Sequence, residues 1–157
     1  MDDALSLAAT GVTMRWTLVQ ERHAALAITA EGAGVELHVT YVRDSFADLL
    51  AAASDIKLGA YSTYAVLSGE PAGHVLFFSS LAEAEAVMLD VVAFPAISAS
   101  LTRFSAGELR WRGFLSRQAL VDAAADMAAE VLAEHGETGY ERRWGHPFPA
   151  GLAARLR

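Results

Sequence analysis

The sequence contains no cysteine, no asparagine and only one lysine among its 157 residues. The absence of cysteine excludes disulfide scaffolds, thiol catalysis and cysteine zinc sites. Uncharged runs reach 12 residues, as in 58–69 and 91–102, whereas roughly 20 apolar residues are needed to span a bilayer. The sequence therefore predicts no membrane-spanning helix and no membrane partner.

The first residues also lack the basic region that precedes the apolar core of a secretory signal, since the chain begins Met1-Asp2-Asp3. The expected compartment is therefore the cytoplasm. A chain of this length fits one domain that buries roughly 70% of its unfolded surface. We expect a single α+β domain over residues 1–157, with a core that needs no disulfide or metal.

Basic side chains are in deficit, with 12 Lys and Arg against 19 Asp and Glu, for a net charge of −7. The excess lies early: residues 1–102 hold 12 acids and 4 bases, and residues 103–157 hold 7 acids and 8 bases. Nucleic-acid binding draws mainly on a basic surface. The balance therefore argues against a nucleic-acid partner, and it suits a cationic protein.

Alternation of apolar and polar residues predicts strands over 12–20, 23–30 and 35–41, with a glycine-containing turn at 31–34. Four more strands are predicted downstream, at 61–69, 73–80, 85–94 and 108–113, the last as an edge strand. The turn between the first two of these is Glu70-Pro71-Ala72-Gly73.

Two main helices are predicted. The first begins at Asp44 or Ser45 and ends before Gly59, and the second spans 117–135 between Ser116 and Gly136. A short helix is expected over 152–156. The predicted fold is a mainly antiparallel sheet of six or seven strands, with one helix after strand 3 and a long C-terminal helix packed on one face.

The five histidines show no i, i+4 pair and no HExxH motif, so the sequence predicts no metal site. Two of them, His23 and His38, fall on the polar faces of neighbouring predicted strands, together with Arg15 and Glu36. Two interpretations stay open for these four residues: a small polar binding face, or a solvated sheet face with ordinary cross-strand pairs.

Catalytic motifs are lacking as well. The chain has no G-x-S-x-G motif and no phosphate-binding loop, so we expect no catalytic residue and no cofactor. Asp90 interrupts an apolar run, and if it is buried it needs a partner such as Arg110 or Arg112.

The second predicted helix carries carboxylates at four-residue intervals, with no lysine or arginine among the intervening residues: Asp122, Asp126, Glu130 and Glu134. We call these four residues the acidic stripe. Because adjacent like charges on one helix face repel by roughly 0.2–0.5 kcal/mol per pair, the stripe is a mild local cost. It is either a solvated face or a docking strip for a cationic partner.

The C-terminal region combines aromatic residues with proline in Trp144, Pro147, Phe148 and Pro149. Two interpretations are open, an exposed aromatic contact or a clasp that packs the tail onto the domain. The second is favoured, because proline-fixed aromatic tails usually anchor a terminus.

The order of these elements resembles small bacterial proteins of the polymorphic-toxin immunity type over residues 12–157. The residues that carry the resemblance are the run Tyr41–Leu50, Gly59, Glu70-Pro71, Gly139-Tyr140, Trp144 and His146-Pro147-Phe148-Pro149. The resemblance implies a non-enzymatic protein that binds and blocks a toxin made by the same cell, often a nuclease with a basic surface. It brings no catalytic residues with it.

The sequence thus favours a cytoplasmic protein-binding module of the immunity type, with the acidic stripe as its partner site. One alternative is a small-molecule-binding domain or an enzyme without recognisable motifs, with a pocket between sheet and helix that uses Arg15, His23, Glu36 and His38. Another is a homo-oligomeric structural protein, such as a homodimer, which the high apolar fraction suggests.

Overall fold

A computed structural model describes residues 8–70, 72–81, 85–97 and 107–157. The strands are β1 (Val12–Gln20), β2 (His23–Ala30), β3 (Ala33–Thr40), β4 (Ser62–Leu67), β5 (Gly73–Leu81), β6 (Ala86–Phe94) and β7 (Glu108–Ser116). The helices are α1 (Ser45–Lys57), α2 (Arg117–Trp144) and α3 (Ala150–Arg155). Pro71 of the predicted turn lies outside the described residues.

The strands form two antiparallel sheets rather than one. Sheet 1 has the order β1-β2-β3 and sheet 2 has the order β4-β5-β6-β7. The prediction of a single sheet of six or seven strands is therefore wrong, although the α+β class is confirmed. The physical reason lies at β4. Helix α1 packs along this edge strand, and the Val66 N–H of β4 donates to the Asp48 carboxylate of α1 at 3.3 Å rather than to another strand.

Alternation along the strands of sheet 1 separates a buried face from an outer face. Trp16, Leu26 and Leu37 stand opposite one another in register and are buried. Arg15, Ala27 and Glu36 form the neighbouring row on the outer face. The period-two pattern of the sequence therefore has the orientation expected of a half-buried sheet.

Helix α2 packs along β1, the edge strand of sheet 1. Ser116 caps its start, because the Ser116 side chain accepts a hydrogen bond from the Ala119 N–H at 3.2 Å. The helix is interrupted at Gly136, which has φ 67° and ψ 167°. This break confirms the predicted helix end at 135, but the sequence analysis missed that the chain becomes helical again after Gly136.

Buried apolar residues from both sheets and from α1 and α2 belong to one cluster. Its centre is aromatic. The centroid of the Trp16 ring lies 5.0 Å from that of Phe46 and 5.1 Å from that of Trp144, and the ring centroids of Phe148 and Tyr140 are 5.5 Å apart. Burial raises the pKa of Tyr140, and the nearby Asp44 charge adds to this effect. The burial of Trp144 and Phe148 confirms the predicted aromatic clasp.

Asp90 is buried on β6 and forms a two-pronged ion pair with its cross-strand neighbour Arg112. Arg112 donates from Nε to Oδ1 at 2.7 Å and from Nη2 to Oδ2 at 3.1 Å. Hydrogen bonding to Asp90 raises the pKa of Arg112, and the charge of Asp90 acts in the same direction. Arg110 pairs instead with Glu108 at 3.5 Å. The carboxylate that interrupts the apolar run is thus paired with Arg112 from the next strand.

No helix in the described ranges is both long enough and apolar enough to cross a membrane.

Candidate functional site

The four carboxylates of the acidic stripe are exposed along α2. Their local contacts are few: Asp122 accepts a hydrogen bond from the Gln118 amide at 2.8 Å, and Glu134 lies 3.9 Å from the imidazole of His135. On the opposite side of the helix, Leu120, Ala124 and Met127 belong to the core. The stripe is therefore the solvent-facing side of an amphipathic helix.

The C-terminal half of the acidic stripe, Glu130 and Glu134, borders a cleft between α2 and β1, which we call the β1 cleft. Its volume is about 380 Å³, and its walls are formed by Arg15, Trp16 and Thr17 of β1 and by Glu130, Val131, Ala133 and Glu134 of α2. Two carboxylates line one wall and a guanidinium lines the other. Such a cleft can receive a basic side chain against the α2 wall while Arg15 pairs with an acidic neighbour on the same partner.

The outer face of sheet 1 also carries a pair of histidines, His23 and His38. His38 is the register partner of Ala25, and His23 is the partner of Thr40, so the two imidazoles are diagonal neighbours on adjacent strands. His23 Nδ1 and His38 Nε2 are 2.9 Å apart, and the ring centroids are 5.0 Å apart. A hydrogen bond at this distance requires one nitrogen to donate and the other to accept.

These two histidines open onto a pocket of about 400 Å³ at the junction of the two sheets, which we call the seam pocket. Its other walls are formed by Thr40, by Gly69, Glu70 and Ala72 between β4 and β5, and by Gly73 and His74 of β5. Sequence reasoning missed Glu70 and His74 as members of this site. No spacing could have revealed them, because their approach to His23 depends on how the two sheets meet.

Ser68 fixes this junction through hydrogen bonds in several directions. The Thr40 N–H donates to the Ser68 carbonyl at 2.8 Å, and the Ser68 hydroxyl donates to the Thr40 carbonyl at 2.8 Å. The Ser68 N–H donates to the Ser45 hydroxyl at 3.1 Å, and the Arg43 N–H donates to the Ser68 hydroxyl at the same distance. Because Ser68 is buried, these bonds hold the seam pocket in a defined shape.

His74 is half-buried in the seam pocket, and its Nδ1 is buried without a hydrogen-bond partner in the described chain. Burial lowers the pKa of His74, and the positive charge of Arg110 adds to this effect. The imidazole is therefore neutral at pH 7 in the folded protein.

We expect the folded state to lose stability on acidification because of His74. Since the pKa is lowered on folding, the unfolded chain binds the proton first as the pH falls through about 6.5, and the loss ends below the lowered folded value. Urea denaturation between about pH 5 and pH 8 should show a shallower pH dependence in His74→Gln than in the wild type. Arg110→Leu should reduce the slope partly, and an unchanged slope in both variants would contradict the assignment.

The structure divides the four residues of the predicted polar face. His23 and His38 meet at the seam pocket, and Arg15 lies in the β1 cleft beside Glu130 and Glu134. Glu36 is exposed on β3, with Ala27 between it and Arg15. Within the described ranges, no three His, Asp or Glu side chains are grouped so that they could hold a metal ion.

Comparisons with protein-family models, with curated proteins and with solved structures found no match to this chain.

Proposed function

We propose that this chain is a non-enzymatic, cytosolic protein-binding module of the immunity type, which captures a cationic protein domain on the acidic stripe and blocks it by occlusion. The observation that carries the proposal is the β1 cleft, where Glu130 and Glu134 stand exposed beside a groove in the protein surface. A groove supplies shape as well as charge, and both are needed for a specific interface.

The packing beneath the acidic stripe also supports a binding module. The space between sheet 1 and the two long helices is filled by aromatic rings, with Trp16, Phe46 and Trp144 each at most 3% exposed. A ligand pocket between sheet and helix would require that space to be open. The packing of the described side chains therefore favours a filled interior, with the binding site on the protein surface.

The negative charge along α2 favours long-range electrostatic attraction of a cationic partner. From Gln118 to Glu141 the helix contains no lysine or arginine, so the carboxylates of the stripe are not neutralised by neighbours on the same helix. Arg15 is the basic side chain that faces them across the β1 cleft. A patch of one sign on an exposed face accelerates encounter with a partner of the opposite sign, and added salt suppresses that acceleration.

Charge reversal on the stripe tests the proposal. We expect Asp126→Lys/Glu130→Lys to lower the association rate of the partner by about tenfold or more and to flatten its dependence on salt. The partner is first captured from a lysate of the source cell on the immobilised wild-type chain, and then purified for kinetic measurements at low and high ionic strength.

The matched control is Glu21→Lys/Glu36→Lys, which changes the net charge equally but alters an exposed residue of the β1–β2 turn and an exposed residue of β3. This control should retain most of the wild-type association rate. The proposal is wrong if the captured protein is acidic, or if the stripe variant keeps the rate and salt dependence of the wild type.

A further inference from the structure

The histidine pair of the seam pocket has no part in the proposed protein interface. We propose that His23 Nδ1 and His38 Nε2 chelate a divalent transition-metal ion, with Cu²⁺ or Ni²⁺ preferred over Zn²⁺. The inference rests on the contact between two strand-borne imidazoles in an open, mostly pre-formed pocket. It does not depend on the identity of any protein partner.

The distance between the two nitrogens sets the coordination geometry. Imidazole nitrogens bind such ions at roughly 2.0–2.1 Å, so two nitrogens that remain 2.9 Å apart subtend an angle of about 90° at the metal. This is the angle between neighbouring ligands in square-planar and octahedral complexes, which Cu²⁺ and Ni²⁺ favour, whereas tetrahedral Zn²⁺ requires a wider angle. The Irving–Williams order acts in the same direction.

The backbone holds the pair in place before any ion arrives. His23 and His38 belong to adjacent strands whose antiparallel register is continuous from His23↔Thr40 to Ala30↔Ala33. Thr40 is tied in turn to the buried Ser68. Little order has to be created on binding, and pre-organisation of this kind favours affinity.

The rest of the coordination shell would come from water, because the described residues include no three-ligand group. A pocket of about 400 Å³ has room for an ion with several water ligands. Glu70, which lines this pocket, supplies a negative charge that opposes the charge of the ion.

The hydrogen bond between the two imidazole rings determines which hydrogen atom must move when the metal binds. In the neutral pair, one hydrogen lies between Nδ1 of His23 and Nε2 of His38. Chelation requires this hydrogen to move to the other nitrogen of its own ring, so that both facing nitrogens offer lone pairs, and no proton leaves the pair.

Calorimetric titration of the purified chain with CuCl₂, NiCl₂ and ZnCl₂ tests the proposal. We expect one ion per chain, with affinity in the order Cu²⁺, Ni²⁺, Zn²⁺. His23→Gln and His38→Gln should each weaken binding by at least about tenfold, because even the loss of an outer-shell contact often costs that much. His135→Gln is the control, since His135 belongs to α2 and does not line the seam pocket, and it should bind like the wild type.

A second measurement needs no variant and so survives any misfolding of the histidine mutants. Electron paramagnetic resonance of the Cu²⁺-loaded wild type should show hyperfine coupling to two imidazole nitrogens. At saturating metal the thermal midpoint should rise by about 5–10 °C, as expected for an ion at 100 times its Kd.

The proposal fails if the wild type shows no saturable binding, if the spectrum lacks coupling to two nitrogens, or if His135→Gln weakens binding as much as His23→Gln does. Because the titration contains only protein and metal, its failure would leave the proposed protein-binding function untouched. Conversely, a failed partner capture would not affect the metal result.

Discussion

Replacement of Trp144 by alanine is expected to lower the free energy of unfolding by about 3–5 kcal/mol. Small domains are stable by only about 5–15 kcal/mol in total. The substitution should therefore remove a large share of the stability, and it should show as a lower urea midpoint in denaturation followed by circular dichroism.

The size of this effect follows from what Trp144 joins. It is the last residue of α2, it is fully buried, and its ring meets that of Trp16 on β1 edge to face at 5.1 Å. Its indole N–H points to the Asp44 carboxylate at the start of α1, at 3.4 Å. Alanine would leave a cavity between three elements that are rigidly placed by other contacts, so collapse could fill it only in part.

Leu132→Ala is the control on the same helix, because Leu132 is 37% exposed. We expect it to change the free energy of unfolding much less than Trp144→Ala does, by about 1 kcal/mol or less. If the two substitutions lower the free energy of unfolding equally, the aromatic clasp does not contribute substantially to stability.

The strands were predictable because each depends on local alternation. Met14, Trp16 and Leu18 alternate with Thr13, Arg15 and Thr17 in the sequence, and this decides which face of β1 is buried. Which strands pair across a long connection is not encoded in that pattern. The division into two sheets depends on α1 lying along β4. This is a tertiary contact, and local alternation does not determine it.

The candidate sites divide in the same way. The acidic stripe was predictable because spacing along a single helix fixes which side chains share a face. The position of Arg15 opposite Glu130 was not, since it depends on how α2 packs on β1. His74 reaches the seam pocket from another sheet, and a search for short-range histidine spacings is blind to such an approach.

Gly136→Ala is expected to destabilise the protein by about 1–3 kcal/mol, because φ 67° and ψ 167° lie in a region that is essentially restricted to glycine. The cost is one of backbone conformation alone, since an added Cβ would meet no atom within 4 Å. The break matters because it separates the straight part of α2 along β1 from the turn that brings Tyr140 and Trp144 into the core.

Gly139→Ala provides the matched comparison three residues further on. Gly139 lies in the helical stretch after the break, and its added Cβ would make only an ordinary contact with His135 at 3.8 Å. Alanine should therefore stabilise the protein by about 0.5–1 kcal/mol, opposite in sign to Gly136→Ala, with both measured by urea denaturation. If Gly136→Ala were also stabilising and raised the helix content, α2 would prefer to be continuous, and the burial of Trp144 would have to be enforced by the aromatic contacts rather than by the break.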